Sequence, residues 1–535
     1  MVTGICNEKV QSVFSNCRRI LGKETWDRVL AALDTHPEPR MFPDALASLK
    51  ASIPLPEYID DLARLEWKVN QIRTEDADSG KTPETITVNP TLSLIPVSWK
   101  HLAAIFAGDF NKDPCPQPEA SPVHVMIWRH PITREFHIRE ALDIDLLALK
   151  IVVEEIDPRE ASKMGRTSVK AIQSALKRAV VQGILLSPPS RIQRDISIPS
   201  RPSETLEPFQ SADIFTLQWH ITQTCDLHCR HCYDRSERHP MTYDAALAVL
   251  DDFYGFCRGM NVRGQVTFTG GNPLLYPHFL RLYQDASDRG FGVAILGNPT
   301  PEAQMEKIFE KTKPLFFQIS LEGLAEHNDY IRGTGHFIRS LAFLDQLRKM
   351  DIYSMVMLTL TRDNLDQVLP LGELLRDRAD FFTFNRLSTI GEGKDLLMPE
   401  KETFISFLHE YEKAAETNPI LGLKDNLINI IRQEKKAAFF GGCTGYGCGA
   451  AFNFVSLLPD GEVHACRKFP SLIGNIRRQS LFDIYHSDLA GKYRRGSQAC
   501  RDCSLNPVCR GCLAVIYSYG LNVFQDKDPF CFLPE

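Results

Sequence analysis

Eleven of the fifteen cysteines crowd into two stretches, and this constrains the fold more than any other feature of the chain. Cys225, Cys229 and Cys232 lie within eight residues, and Cys443, Cys448, Cys466, Cys500, Cys503, Cys509, Cys512 and Cys531 follow in the C-terminal segment. The total is odd, and the N-terminal Met-Val-Thr-Gly-Ile-Cys-Asn lacks the apolar segment of a secretion signal, so metal ligation is expected rather than a disulfide framework. Cys6, Cys17 and Cys115 have no companions at ligand spacing and read as free thiols. Cys257 shares the apolar side of a helical pattern with Leu250 and Phe253 and reads as a small buried hydrophobe. The formal net charge of -6 excludes a basic nucleic-acid coat, and no apolar run approaches a membrane span. A cytoplasmic location, with neither nucleic acid nor membrane as partner, is the expectation.

With 535 residues, 43% of them apolar, three or four packed units are expected. Residues 1–95 read as a helical domain of unassigned role, with helices over 24–34 and 58–72, then a polar exposed stretch over 73–90. The Pro-rich 113–118 reads as a linker. Residues 120–192 give a hairpin over 123–128 and 135–139 and a helix near 145–154. A second helix is capped by Asp157 with Pro158 in its first turn, and a third runs over 169–182, stops at Gly183 and leads to a strand over 184–186. That order is a small winged helix. Pro188, Pro189, Pro199 and Pro202 mark a second linker. Residues 213–420 alternate six strands (215–221, 265–269, 292–296, 315–321, 353–361 and 381–387) with helical patterns that include 243–257, 277–288 and 365–376. Six such units imply an α/β fold with a parallel sheet, open or curled into a partial barrel, and chemistry at the C-terminal strand ends. Residues 436–535 turn rich in cysteine and glycine.

Cys225-Asp-Leu-His-Cys229-Arg-His-Cys232 caps the first of these strands. Three thiolates suit iron or zinc, and the spacing admits a zinc site completed by His228 or His231 as well as a four-iron cluster with one iron open. The second strand ends in Thr267-Phe-Thr-Gly-Gly-Asn-Pro273. This pair of motifs resembles the radical S-adenosylmethionine (SAM) superfamily, although Asn272 stands where the family usually has glutamate. The resemblance implies a partial (β/α)6 barrel whose open iron chelates SAM. One electron from the reduced cluster then yields a 5'-deoxyadenosyl radical that takes a hydrogen atom from the substrate. It further implies SAM contacts from His231 at the adenine, from Gly270, Gly271, Asn272 and Pro273 at the amino group, from Ser320 at the ribose and from Arg332 or Arg386 at the carboxylate.

Eight further cysteines make two four-ligand sets, which by count alone fit two zinc ribbons equally well. Following such a barrel, their order resembles the SPASM domain of radical SAM peptide maturases. That resemblance implies two auxiliary [4Fe-4S] clusters, three in all, the first on Cys443, Cys448, Cys466 and Cys512 and the second on Cys500, Cys503, Cys509 and Cys531. Two spacings depart from the pattern: the last pair is separated by two residues rather than three, and the first pair by four where five is common in one subgroup. Arg467 occupies a position where some members place an acidic base, so no acid or base is named.

Lys170, Lys177 and Arg178 would fit a DNA-reading winged helix. Placed before a SPASM-type core, the segment instead resembles the peptide-recognition element of ribosomal peptide pathways, which takes a leader peptide as an added strand. His327-Asn-Asp-Tyr-Ile-Arg-Gly333, Asn385-Arg-Leu-Ser388 and Cys443-Thr-Gly-Tyr-Gly-Cys-Gly449 look most like the selenobiotic, or thio(seleno)oxazole modification, maturases. The implied substrate is a precursor peptide with Cys-Gly or selenocysteine-Gly units, and the implied electron donor a small or flavodoxin-like protein. Rival expectations are a maturase of an enzyme subunit or peptide-derived cofactor, and a non-catalytic iron-sulfur electron carrier.

Overall fold

The computed structural model describes residues 10–33, 38–74, 82–106, 117–194 and 206–533. Cys6, Cys115, Pro199, Pro202, most of the Pro-rich 113–118 and part of the polar 73–90 lie outside them. The chain divides into two compact units, 1–189 and 190–535.

In the first unit, helices Ser15–Ala32, Phe42–Leu49 and Ile59–Thr74 precede the sheet. The first breaks at Gly22, whose φ of 71° is open to glycine, so its second half starts close to the expected 24. Strand β1 (Thr87–Val88) pairs with β5 (Leu185–Leu186), and β2 (Ser93–Lys100), β3 (Glu119–Arg129) and β4 (Phe136–Glu140) form an antiparallel sheet in the order β2-β3-β4. The boundary placed at residue 95 therefore falls inside a strand, and Val97, Val125 and Ile127 share one core with Phe14, Trp26 and Leu62 of the helices. Pro96 hides β2 from pattern reading, yet β2 is an edge strand, where a missing N–H is tolerated. Helices Asp143–Val153, Pro158–Gly165 and Val169–Val181 complete the unit. Asp157 accepts from the Arg159 N–H at 2.8 Å as the expected cap. Asp157→Ala should cost about 1 kcal/mol, read as a lower urea midpoint.

In the second unit, six strands lie parallel and in sequence order: β6 (Ile214–Thr222), β7 (Arg263–Gly270), β8 (Gly292–Leu296), β9 (Phe317–Ser320), β10 (Ser354–Leu360) and β11 (Phe381–Arg386). Their continuous apolar runs, such as Val356, Met357 and Leu358, suit strands buried on both faces. Helices intervene at each step; Tyr243–Gly259 is capped by Thr242 and buries Leu250, Phe253 and Cys257. The array does not close on itself. Beyond β6 the C-terminal segment adds β12 (Phe454–Leu457), parallel to β6, and then antiparallel β13 (Glu462–His464) and β14 (Leu472–Asn475), giving one nine-stranded sheet. Among the described residues no helix is long and apolar enough to cross a membrane.

Candidate active site at the strand ends

The three-cysteine loop leaves the C-terminal end of β6, with Cys225 exposed and Cys229 and Cys232 half-buried. It is laced to the turn after β7. The Gly271 N–H donates to the Thr222 carbonyl and the Asn272 N–H to the Thr224 carbonyl, both at 2.8 Å. A Cβ on Gly270 or Gly271 would meet those carbonyl oxygens at 2.1 and 2.2 Å, and Gly270 has a φ of +133°. The two glycines thus let the backbone approach the base of the loop. Pro273 is buried at the start of the short turn that follows.

Asn272 is buried, and its Nδ2 donates to Asp226 Oδ1 at 3.0 Å. Asn298 Nδ2 donates to the same oxygen at 2.6 Å and stands 3.7 Å from Cys225 Sγ. The loop's carboxylate is therefore held by two amides. Asn272→Glu should cost about 1.5–3 kcal/mol in the unfolding of the second unit, because a donor to a charged acceptor becomes a second carboxylate. Adding Asp226→Asn should recover most of that loss, since the new amide can donate to the new carboxylate.

Glu322, two residues past β9, is fully buried. Its Oε1 accepts from Arg332 Nε at 2.8 Å and Nη2 at 2.6 Å and stands 2.8 Å from His231 Nε2, while Oε2 accepts from the Thr359 N–H at 2.8 Å. Burial alone would raise this carboxyl, but the adjoining His231 and Arg332 outweigh it and hold Glu322 well below the usual carboxylate range. Arg332 Nη1 lies 3.7 Å from Cys229 Sγ, so Glu322 orients a cation against the cysteine loop. Ser320 stands half-buried at the end of β9. Glu322 was not foreseen; its only signal is an acid directly after a strand end.

Arg386 departs from expectation. The residue is 3% exposed, with Nε donating to Asp425 at 2.7 Å and the two terminal nitrogens to Asp528 at 2.9 and 2.8 Å. Two carboxylates occupy the fork that a SAM carboxylate would need. Arg467 is buried against Asp234 and over the Tyr233 ring, 5.4 Å from its centroid, joining the chain after Cys232 to the chain after Cys466. Burial pushes the Tyr233 hydroxyl up to about 12.

The eight C-terminal cysteines line two cavities. Cys443, Cys448, Cys466 and Cys512 line one cavity together with Phe384, Asn385 and Arg386 of β11. Cys500, Cys503, Cys509 and Cys531 line the other. Burial, with repulsion from the other thiolates of the same set, pushes Cys448 up to about 11 and Cys500 to about 12. Among the described residues no three His, Cys, Asp or Glu side chains are gathered as a single-ion site. Four thiols spaced around a cavity fit the donor set of an iron-sulfur cluster, which displaces their protons on binding. Cys17 is buried in the core of the first unit and Cys257 in that of the second.

Residues 219–375 match the model of the Radical SAM superfamily, and residues 448–513 match the SPASM model, an iron-sulfur cluster-binding domain. The chain is 26% identical over 345 residues to an AdoMet-dependent heme synthase of Methanosarcina barkeri, covering 59% of this chain and 95% of that one. It is 27% identical over 318 residues to the antilisterial bacteriocin subtilosin biosynthesis protein AlbA of Bacillus subtilis, covering 56% of this chain and 67% of the relative. Its fold is similar to that of Streptococcus suis SuiB in the crystal structure with precursor peptide SuiA, with a TM-score of 0.50 at 16% identity over 77% of this chain and 97% of SuiB. This chain joins a radical SAM domain to a SPASM iron-sulfur domain in one polypeptide, and it is a radical SAM enzyme.

Proposed function

We propose that the enzyme modifies a ribosomally synthesised precursor peptide, at Cys-Gly or selenocysteine-Gly units, using three [4Fe-4S] clusters. Cys225, Cys229 and Cys232 hold the first together with SAM. Cys443, Cys448, Cys466 and Cys512 hold the second, and Cys500, Cys503, Cys509 and Cys531 the third. When bound, SAM and its cluster supply a radical able to take a hydrogen atom from the peptide. The observation that carries this reading is the cysteine-lined cavity at the C-terminal end of β11, the same end of the sheet from which the three-cysteine loop departs.

Within that reading, Gly270 and Gly271 bring the turn against the loop where the SAM amino group binds, beside Asp226. His231 and Arg332, fixed by Glu322, border the loop, with Ser320 at the ribose. The leader peptide adds to β4, an edge strand among the described residues, as β-strand addition requires an unpaired edge. AlbA, a bacteriocin biosynthesis protein, and SuiB, crystallised with its precursor peptide, give the peptide class its support. A small or flavodoxin-like protein supplies the electron, and the enzyme works in the cytoplasm without nucleic acid or membrane.

The test is anaerobic reconstitution with iron and sulfide, then dithionite reduction with SAM and a short neighbouring-gene peptide carrying Cys-Gly units. Roughly twelve irons, 5'-deoxyadenosine and a mass change in the peptide are expected, with about eight irons and no 5'-deoxyadenosine after Cys225, Cys229, Cys232→Ala. Bound zinc without SAM cleavage would overturn the cluster reading. SAM cleavage coupled to a tetrapyrrole, an enzyme subunit or a cofactor-precursor peptide instead would overturn the substrate.

A further inference from the structure

The two four-cysteine cavities differ in charge. The cavity of Cys443, Cys448, Cys466 and Cys512 is lined by Arg386, Lys424 and Lys468 against the single carboxylate of Asp425. The cavity of Cys500, Cys503, Cys509 and Cys531 is lined by Arg510 and Asp528. Arg386 is compensated directly by Asp425 and Asp528. The two lysines are not: Lys424 Nζ donates to the Cys443 carbonyl at 2.9 Å and lies 3.7 Å from Cys443 Sγ, and Lys468 Nζ donates to the Arg386 carbonyl at 2.6 Å. Among the described residues neither ammonium pairs with a carboxylate.

Adding an electron to a cluster adds negative charge, which a nearby cation stabilises and a nearby carboxylate opposes. Charge, hydrogen bonds to sulfur and solvent exposure are the protein's means of setting a cluster's potential. At the first cavity two uncompensated ammoniums and the exposed Cys443 all favour the reduced form. At the second, the Arg510 guanidinium and the Gly511 N–H, 3.4 Å from Cys509 Sγ, work in that direction, and the Asp528 carboxylate works against it, as it also does at Cys512 of the first set, from whose N–H it accepts at 2.9 Å.

We infer that the cluster on Cys443, Cys448, Cys466 and Cys512 has the higher reduction potential of the two auxiliary clusters, and that Lys424 and Lys468 raise it. The inference rests on the proposal that both cavities hold four-iron clusters. At equilibrium an electron shared between the two settles at the cavity bordering β11.

The experiment is an EPR-monitored redox titration of reconstituted full-length protein carrying Cys225, Cys229, Cys232→Ala, so that two clusters and about eight irons remain. Two one-electron waves are expected. Lys424→Gln and Lys468→Gln should each lower the upper wave by about tenfold in reduced-to-oxidised ratio, which is 59 mV for one electron, and leave the lower wave in place. Lys424→Arg should restore the upper wave. Cys503→Ser with Cys509→Ser should abolish the lower wave alone. Eight irons with the lysine variants moving the lower wave, or neither, would overturn the inference while leaving the clusters standing. The same holds if loss of Cys503 and Cys509 removes the upper wave. An iron count near four in the background protein would overturn the cluster reading beneath it.

Discussion

Glu322→Ala should cost the second unit about 3–5 kcal/mol, because it leaves Arg332, whose side chain is only 10% exposed, beside Cys229 without its anion. Urea unfolding of the apo protein followed by circular dichroism measures it. A loss below about 1 kcal/mol would show that the cluster of charges is hydrated, not buried. Glu322→Gln keeps the acceptor for the Thr359 N–H and should fall between the two. The pH profile follows in sign. The folded-state value is depressed, so the contribution is complete above the unfolded value near 4.3 and is lost as pH falls toward the folded one. The alanine variant should accordingly lose less stability than the wild type as pH drops below about 4.

Arg386→Met should be at least as damaging, about 3–5 kcal/mol, since it strands two buried carboxylates with one substitution. Asp528 also accepts from the Cys512 N–H at 2.9 Å, so the change should reach the cysteine cavities and lower the auxiliary iron content. Arg386→Lys should not rescue it, because one ammonium cannot reproduce a fork that serves two acids. Arg386→Met with Asp425→Asn and Asp528→Asn should recover much of the loss. If that triple variant is no better than Arg386→Met, the cost lies in packing against Phe404 and Phe530, over whose rings the guanidinium sits, rather than in stranded charge.

Much of the second unit was legible because its strands are apolar on both faces. The run 353–361 can hardly be anything else, and β10 spans Ser354–Leu360. Strand β12 was not legible: it has four residues, and its identity comes from pairing Phe454 with Thr216 and Leu457 with Trp219, partners more than two hundred positions away. The same distance misled the reading of Arg386. A motif at a strand end fixes where its Cα lies, not which way a long side chain turns, and Asp528 lies 142 residues on. The glycines of Gly270-Gly271 were legible as a motif, but the reason for them, carbonyl oxygens of Thr222 and Thr224 in the way of any Cβ, belongs to the folded contact. Asp226 and Glu322 carry no spacing signal, since each works through partners brought together by the sheet.

The pairing of β12 with β6 has a consequence for how the enzyme can be taken apart. Strand β6 has β7 on one side and β12 on the other, so the cysteine-rich segment supplies the partner of residues 216–219 on one flank of the strand from which the three-cysteine loop departs. Cutting the chain before residue 436 would strip that flank and leave the β6 backbone as a raw, apolar edge, the kind of surface that recruits other chains into aggregates. The SPASM segment is therefore not a detachable cartridge, and a chimera that exchanges it for another must carry over the β6–β12 seam intact.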